Sequence, residues 1–313
     1  MRLNVTYATG DIYARHAGVS MISLFENNKD FEEIFVYIID DGIKDINKDL
    51  LKNIADKYNR KIQFIKFEEL CDVNIFNNVG NYSKIIFSKM YLHNIKGIDK
   101  ILYIDCDMII TQSLKKLWEL DMNENLVGGV RMPTPIQYRK VFSSGNNDKY
   151  INGGLILFNL KEWREIQVES KILDFIEKYK SYEFIEENII CNISKEKILL
   201  LDAEYNLNGT MIFYTSDQIK KICDETSFYN QKQLDYAKEN PIIIHYSSEI
   251  YERPWYKKCD HPYKSEYLKY LSMSQWDGKL DDNVYKFPNS IKKFIRNIIP
   301  FKIYFIIRKF MHL

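Results

Sequence analysis

Strand and helix signals alternate through the first 104 residues of this 313-residue chain, and this alternation restricts the fold more than any other feature. Short apolar, β-prone runs predict strands, and segments with apolar residues at three- and four-residue spacing predict helices. The predicted strands lie at residues 3–8, 34–39, 62–67 and 101–104, and the predicted helices at 13–25, 46–58 and 83–94. This repeat predicts a parallel sheet with crossover helices, that is, an α/β fold.

The second half of the chain is less regular. Strands are predicted at 126–130, 154–160, 198–201 and 242–246, and helices at 163–179 and 186–193. Residues 132–147 contain two prolines and a Ser-Ser-Gly-Asn-Asn stretch, which predicts a long loop, and long loops are often functional.

Two carboxylates stand at the end of the fourth predicted strand. Asp105 and Asp107 follow the apolar run Ile-Leu-Tyr-Ile directly. Buried carboxylates are costly unless they are paired, and alternate residues of an extended chain point to the same side. We therefore expect both to converge on a divalent metal at the carboxyl edge of the sheet, where open α/β sheets bind ligands. A solvated turn is the alternative, because a single Asp-x-Asp is common.

Two segments next to predicted strands suit ligand binding. The sequence Tyr-Ala-Thr-Gly-Asp-Ile-Tyr at 7–13 follows the first strand and opens a helix, where backbone N–H groups and an aromatic ring can hold a nucleotide. Asn152, Gly153 and Gly154 precede an apolar strand, and paired glycines there indicate a close approach of the backbone to a ligand or to another segment. Asn152 offers both a donor and an acceptor to a hydroxylated ligand.

Two further clusters carry titratable groups. Glu186, Glu187 and Asn188 start a predicted helix, where acids commonly complement the helix dipole. His245 ends a short apolar strand and precedes an Arg-Pro-Trp sequence that begins at Arg253. A histidine in this context is usually a core residue, but a neutral imidazole also completes a metal site with two carboxylates, a mixed donor set that Mn²⁺ accepts.

Charge is distributed unevenly along the chain. The net charge of +1 shows no global bias toward nucleic acid, but residues 291–313 contain six lysines and arginines and no acid. Apolar residues there recur at helical spacing, interrupted by Pro300. This basic amphipathic pattern predicts a tail that lies in an anionic membrane interface, with a helix docked on the protein body as the alternative.

Cysteine usage and apolar runs indicate the compartment. The chain has five cysteines and no C-x-x-C pair, which favours a reducing compartment over a disulfide framework or structural zinc. The sequence shows no signal-peptide pattern and no apolar run long enough to span a bilayer. We therefore expect a cytoplasmic protein that associates peripherally with the cytoplasmic face of the membrane.

The order of these motifs is more specific than any one of them. A strand before Asp-x-Asp, an Asn-Gly-Gly before a strand, an acid and amide cluster on a helix, and a strand ending in His-Tyr before a basic-Pro-Trp sequence resemble glycosyltransferase family 8. That family includes bacterial lipopolysaccharide galactosyl- and glucosyltransferases and glycogenin, and the resemblance covers about residues 1–255. It implies a GT-A fold, a nucleotide-sugar-binding α/β fold with a mainly parallel central sheet, over residues 1–288. Residues 289–313 would be the membrane-associating tail.

The resemblance also implies roles for individual residues. Mn²⁺, or Mg²⁺, would bind the UDP diphosphate and would be held by Asp105, Asp107 and His245. The donor nucleotide would contact Ala8, Thr9, Tyr13, Ser83, Ile104, Asp105 and Arg253, with Tyr13 stacked on uracil and Arg253 facing the diphosphate. The transferred sugar would contact Asn152 and Gly153, and the catalytic positions would be those of Lys89, Glu186, Glu187 and Asn188.

The implied function is that of a retaining α-glycosyltransferase. It would move galactose or glucose from a UDP-sugar to a cell-surface glycan or glycolipid acceptor, with no nucleic-acid partner. Attack on the same face, with a UDP oxygen as the base, is the favoured route to retention. A covalent route through Glu187 is the alternative, because a carboxylate can be the nucleophile.

Several positions depart from the family pattern. Gly10 replaces an Asp that helps to orient the nucleotide, Glu187 replaces a Gln, and Arg131 stands where an Asp is common. These departures leave open a catalytically silent sugar-nucleotide-binding protein on the same fold. A metal-dependent nucleotide hydrolase would share the metal site.

The segment after His245 departs from the family pattern as well. The spacing from His245 to Arg253 is longer than is usual, and Ser248 or Glu249 fills a loop where the family often has Gly.

Overall fold

The computed structural model describes residues 1–77, 83–133, 149–179, 186–223, 227–248, 250–276 and 278–282. Four sequence predictions lie outside these ranges: the domain boundary at residue 288, the amphipathic tail at 291–313, most of the loop at 132–147, and the placement of Glu249.

Seven of the described strands form the central sheet, in the order β3-β2-β1-β4-β7-β6-β8. Neighbouring strands run parallel except at β7, which is antiparallel to both β4 and β6. The prediction of an α/β fold with a mainly parallel sheet is therefore confirmed. The strands are β1 (Arg2–Thr9), β2 (Glu33–Asp40), β3 (Lys61–Lys66), β4 (Lys100–Ile104), β6 (Val127–Arg131), β7 (Ile151–Asn159) and β8 (Ile198–Leu201).

A second sheet contains three described strands in the order β5-β10-β9. These are β5 (Met108–Ile110), β9 (Leu207–Asn208) and β10 (Ile243–His245), with β10 antiparallel to β5 and parallel to β9. The chain passes from β4 of the large sheet to β5 of the small one through only three residues, Asp105, Cys106 and Asp107. The sequence did not predict β5 or β9, since runs of two or three residues carry no measurable periodicity.

Helices cover both faces of the large sheet, because its strands are apolar on both sides. On β1, Leu3, Val5 and Tyr7 pack into one core with the first long helix, whereas Ile39 on β2 and Tyr103 on β4 belong to the core on the other face. The described α-helices are α1 (Ala14–Asn27), α2 (Asp45–Lys57), α3 (Phe67–Leu70), α4 (Lys115–Glu119), α5 (Leu160–Glu165), α6 (Val168–Lys178), α7 (Glu186–Ser194), α8 (Gly209–Phe213), α9 (Ser216–Cys223), α10 (Gln231–Glu239) and α11 (Lys264–Leu271). The 3-10 helices are Asp11–Tyr13, Val73–Phe76, Lys84–Asn94 and Ala203–Asn206.

Two predicted helices differ from the structure. The single helix predicted at 163–179 is two helices, α5 and α6, separated at Gln167, whose φ of 51° is left-handed and cannot continue an α-helix. The helix predicted at 83–94 is a 3-10 helix. Tighter 3-10 winding is common in connecting segments and is not distinguished by apolar spacing over so few turns.

The last described segment returns to the start of the chain. Trp276 packs against α1 at Gly18 and donates from Nε1 to Oδ1 of Asn47 at 2.9 Å. Arg15 and Asp281 form an ion pair at 2.7 Å. The protein body therefore includes residues up to Asp282, and the predicted boundary at residue 288 lies beyond the described residues. Among those residues, no helix is both long enough and apolar enough to traverse a lipid bilayer.

Candidate functional site

Asp105, Asp107 and His245 meet where the two sheets join. Each offers one ligand atom, and the three atoms lie within 4.8 Å of one another. The backbone fixes this arrangement, since the Asp105 N–H donates to Gly154 O at 2.8 Å and the Tyr246 N–H donates to Asp107 O at 2.9 Å. The three predicted metal ligands are thus brought together.

The local conformation of the Asp-x-Asp segment was predicted incorrectly. We expected Asp105 and Asp107 to converge because an extended chain alternates sides, but β4 ends at Ile104 and Cys106 and Asp107 form a turn. The turn is needed because the chain changes sheets at this point. The carboxylates converge through that crossing rather than through strand alternation.

Opposite charges and hydrogen bonds orient the buried carboxyl of Asp107. Its Oδ1 lies 3.4 Å from Nε2 of His245, and its Oδ2 lies 3.4 Å from Nη2 of Arg253. Burial acts to raise the pKa of Asp107, but His245 and Arg253 outweigh burial and hold that pKa below its usual range. An ionised Asp107 beside an imidazole and a second carboxylate is a donor set that fits a divalent cation such as Mn²⁺.

A second cluster lies beside the first. Lys89, buried in the 3-10 helix Lys84–Asn94, donates from Nζ to Glu186 Oε1 at 2.6 Å and to Gly153 O at 2.9 Å. The same Nζ lies 3.9 Å from Asp105 Oδ1, so the two clusters are continuous. Burial acts to lower the pKa of Lys89, but Glu186 and Asp105 outweigh it and raise that pKa. Lys89 is a fixed cation between them.

Glu187 has an unusual environment for a carboxyl group. Its Oε1 accepts from the N–H of Gly153 at 2.6 Å and from Nδ2 of Asn152 at 3.3 Å. Its Oε2 is buried and has no hydrogen-bond partner among the described residues. Burial and the adjacent Glu186 raise the pKa of Glu187 to about 8. The group is therefore largely a neutral acid at neutral pH, and within the described part of the chain its Oε2 has no hydrogen-bond partner.

The two glycines of β7 are required by close packing. A Cβ at Gly153 would lie 2.7 Å from Cγ of Glu187, and one at Gly154 would lie 2.7 Å from Cε1 of His245. The prediction of a close backbone approach is confirmed. Both glycines lie within β7 rather than before it. Their small size allows the carboxyl of Glu187 and the imidazole of His245 to approach the same strand.

The proposed nucleotide residues lie on the other side of Asp107. Ala8 lies near the turn formed by Cys106 and Asp107, since its carbonyl oxygen accepts a hydrogen bond from the Cys106 thiol at 3.6 Å. The guanidinium of Arg253 donates to the hydroxyl of Tyr13 and lies 5.6 Å from its ring centre. The longer spacing after His245 therefore still brings Arg253 to Asp107.

The remaining predicted residues differ in how they relate to the clusters. Thr9 is buried at the end of β1 and Ile104 at the end of β4, whereas Ser83 is exposed just before its 3-10 helix. Asn188 accepts a hydrogen bond from the hydroxyl of Tyr150. The backbone N–H of the buried Arg131 donates to the hydroxyl of Tyr229 at 3.0 Å.

Two polar residues at the site were missed by the sequence analysis. The hydroxyl of Tyr103 donates to Asp105 Oδ1 at 2.7 Å, and its ring lies 4.3 Å from Nζ of Lys89. Asn206 is fully buried and contacts both His245 and Asn152. Tyr103 was classed as an apolar strand residue, and Asn206 lies in an irregular stretch whose sequence carries no motif.

The comparisons with known proteins agree with this geometry. The profile of Glycosyl transferase family 8 matches residues 4–259. The chain belongs to this family. Among curated family relatives, the general stress protein A of Bacillus subtilis is 27% identical over 281 residues, which span 88% of this chain and 95% of the relative. The lipopolysaccharide 1,2-glucosyltransferase of Escherichia coli K12 is 24% identical, over 88% of this chain and 79% of the relative.

Solved structures show the same fold for this family 8 glycosyltransferase. The crystal structure of galactosyltransferase LgtC with donor and acceptor sugar analogues matches with a TM-score of 0.72 at 20% identity, covering 88% of this chain and 97% of that one. GlyE of Streptococcus pneumoniae matches with a TM-score of 0.63 at 22% identity, over 88% of this chain and 62% of that one. The GT-A fold inferred from the resemblance is therefore confirmed.

Proposed function

We propose that this family 8 glycosyltransferase moves galactose or glucose from a UDP-sugar to a cell-surface glycan or glycolipid, with retention of configuration and with Mn²⁺ as its cofactor. One observation carries the proposal. The cluster that fits a divalent cation is continuous, through Lys89 and Asp105, with a second cluster of carboxyl, amide and glycine groups. A nucleotide diphosphate and a sugar require two such subsites at adjacent positions.

Each set of residues has a distinct task in this reaction. Asp105, Asp107 and His245 would hold the metal, which when bound neutralises charge on the departing UDP as a Lewis acid. Arg253, beside Asp107, and Lys89, beside Asp105, add fixed positive charge next to the candidate metal ligands. Asn152 and the Gly153 backbone, held against Glu187, would orient the sugar.

The bond changes are those of a substitution at the anomeric carbon. The bond from that carbon to the UDP oxygen breaks, the bond to the acceptor oxygen forms, and the acceptor proton passes to a UDP phosphate oxygen. Glu187 is a poor candidate for the nucleophile in the covalent route, because a neutral carboxylic acid carries no free negative charge at neutral pH. This favours attack on the same face.

The decisive experiment measures UDP release from a panel of UDP-sugars, with and without Mn²⁺, for wild type, Asp107→Ala and Asp107→Asn. We expect release from one UDP-hexose only, dependent on Mn²⁺ and reduced at least about 100-fold by either substitution. Asn keeps the size of the side chain, so a loss shared by both variants reports the missing charge rather than a cavity. Thermal unfolding of each variant without metal controls for folding.

The same experiment separates the alternatives. Release of UMP instead of UDP would identify a nucleotide hydrolase. Binding of a UDP-sugar without release of any product would identify a silent binding protein. One feature favours that second candidate: a Cβ at Gly10 would lie 3.0 Å from the Asp41 carbonyl oxygen, so the Asp that the family has at this position does not fit without movement.

We also propose that the basic segment at 291–313 places the enzyme on the cytoplasmic face of the membrane, close to a lipid-linked or cell-surface acceptor. The support is the charge pattern alone: six basic residues, no acid and an amphipathic apolar spacing. Each basic residue near an anionic surface contributes about 1 kcal/mol, and salt screens this attraction.

A vesicle sedimentation experiment tests the membrane proposal. The full chain and a chain ending at residue 288 are mixed with vesicles of phosphatidylglycerol or of phosphatidylcholine. We expect the full chain alone to bind, only to the anionic vesicles, and to be released by high salt. A variant with the six basic residues changed to Gln serves as the matched control. Equal binding of the shortened chain would contradict the proposal.

A further inference from the structure

Asn206 lies between the three candidate metal ligands and the proposed sugar pocket, which is formed by Asn152, Gly153 and Glu187, and it is in none of the motifs that the sequence analysis identified. It ends the 3-10 helix Ala203–Asn206 and is completely buried. Its Oδ1 lies 3.1 Å from Nδ1 of His245, and its Nδ2 lies 2.8 Å from Oδ1 of Asn152. A fully buried amide with partners in both subsites is a candidate for coupling them.

One unambiguous donor sets the direction of every hydrogen bond in the series that links Gly154, Asn152, Asn206 and His245. The backbone N–H of Gly154 donates to Asn152 at 3.0 Å, so the atom that receives it must be the carbonyl Oδ1. The Asn206 atom that faces the same oxygen must then be its Nδ2 donor. This leaves the carbonyl of Asn206 facing His245, so Nδ1 of His245 must carry the hydrogen.

The consequence at the metal site is a fixed hydrogen on Nδ1 of His245. The other nitrogen, Nε2, faces Asp107 Oδ1 at 3.4 Å. A cation bound at Nε2 requires that nitrogen to be unprotonated, so the hydrogen that remains on the ring is the one on Nδ1, which Asn206 accepts. Metal-binding histidines usually have their second nitrogen held by such a partner, which orients the ring and raises its basicity as a ligand. The carbonyl of Asn206 fills this role for His245.

The consequence at the sugar pocket is that the side-chain amide of Asn152 has a fixed orientation. Because Oδ1 of Asn152 receives two donors, its Nδ2 must point the other way, to Oε1 of Glu187 at 3.3 Å. Gly153 donates to the same carboxyl oxygen at 2.6 Å. These two bonds fix Oε1 of Glu187 in place. Oε2 is then the carboxyl oxygen that remains for another partner.

We propose that Asn206 is a positioning residue that couples the two subsites, so that the orientation of the His245 imidazole sets the orientation of Asn152 and, through it, of Glu187. Occupation of the metal site would then order the sugar pocket before the donor sugar arrives. This inference rests on the proposed function of the site as one for a metal and a nucleotide sugar.

The test uses two variants that remove different hydrogen bonds of Asn206. Asn206→Asp at pH 8 keeps an acceptor for His245 but replaces the donor to Asn152 with a repelling oxygen. Asn206→Leu keeps the branched shape of the side chain, with two methyl groups in place of the amide oxygen and nitrogen, and removes both bonds. Mn²⁺ affinity is measured by calorimetry on protein without any nucleotide, and UDP release is measured at saturating Mn²⁺.

Distinct outcomes are expected for the two variants. Asn206→Asp should bind Mn²⁺ with an affinity close to that of wild type, whereas its UDP release should fall by about 10- to 100-fold, mainly in kcat. Asn206→Leu should lose about 10- to 100-fold in both measurements.

The outcomes that would overturn the coupling are equally specific. Equal losses of Mn²⁺ affinity and UDP release in both variants would indicate a merely structural residue, and unchanged values in both would remove any role for it. If Asn206→Leu does not fold, Asn206→Ser replaces it. Wild-type protein that binds Mn²⁺ but releases no UDP would reject the proposed function instead, and the Mn²⁺ affinity of Asn206→Leu would still decide the His245 half of the inference.

Discussion

At the scale of single residues, the site places acidic groups where burial makes their charge costly. Glu186 is compensated by Lys89 at 2.6 Å, whereas Glu187 accepts only neutral donors and has its pKa raised to about 8. Burial and the neighbouring Glu186 therefore favour the neutral form of Glu187, whereas Glu186 forms an ion pair with Lys89. A neutral Glu187 resembles the glutamine that the family usually has at this position.

Replacement of Glu187 by Gln should make the stability of the protein less dependent on pH. The pKa of Glu187 is about 8 in the folded state and 4.5 as a free group, so wild type loses stability as the pH rises from 4.5 to 8. Glu187→Gln does not titrate. Its gain over wild type should therefore be small at pH 5 and exceed about 1.4 kcal/mol, the equivalent of one pKa unit, at pH 8.5.

Urea unfolding at a series of pH values measures this difference, and UDP release by the same variant tests its role in catalysis. Exposed Glu196, changed to Gln, is the control for a carboxyl without a buried environment. A constant gain across the pH range would contradict the neutral state of Glu187. We expect Glu187→Gln to retain transferase activity, and complete loss with an intact fold would revive the covalent route.

At the scale of elements, helix α1 connects the last described residues with the start of the chain. Helix α1 contacts both the central sheet and the C-terminal segment, and Gly18 is the point at which the Trp276 ring reaches the helix surface. A Cβ at Gly18 would lie 2.5 Å from Cη2 of Trp276 and 3.2 Å from Cδ1 of Ile54. Glycine is retained in this helix despite its low helix propensity because the ring occupies the space of a side chain.

Gly18→Ala should therefore destabilise the protein by about 1–3 kcal/mol, the usual cost of overpacking. The same change made together with Trp276→Ala should stabilise the protein by at most about 1 kcal/mol relative to Trp276→Ala alone, since the gain in helix propensity is then opposed only by the contact with Ile54. Thermal unfolding of the four proteins in this double-mutant cycle measures both values. If Gly18→Ala has the same effect in both backgrounds, the ring does not pack as described.

At the scale of the whole molecule, the proposed metal site spans two sheets. The Asp105 backbone is bonded to β7 in the large sheet, and the Asp107 backbone is bonded to the residue after β10 in the small one. His245 itself lies on β10. A bound cation would therefore connect the two sheets in the folded state, and the unfolded chain does not present these ligands together.

Mn²⁺ should consequently raise the unfolding temperature. At 100 times its dissociation constant, a ligand specific for the folded state contributes about 2.7 kcal/mol, equivalent to a rise of about 5 °C for a protein of this size. Differential scanning calorimetry with Mn²⁺ and then with excess chelator measures the rise and its reversal. Asp107→Asn should show neither effect, and an equal rise in that variant would place the cation elsewhere.

The sequence alone determined most of the order of strands and helices, except for β5, β9 and the division between α5 and α6, and it determined the mainly parallel sheet. These features follow from short-range periodicity and from the rule that crossover helices join parallel strands, so local residues suffice to predict them. The motif order also indicated the family before any geometry was known.

The connections within the site were decided only by the tertiary structure. Asn206 and Asn152 are 54 residues apart, and Lys89 and Glu186 are 97 residues apart, yet each pair forms a buried hydrogen bond. The turn at Asp107 and the reversed direction of β7 likewise depend on which strands become neighbours. Partner choice between distant polar groups is set by the packing that excludes water around them, and no local pattern in the sequence records it.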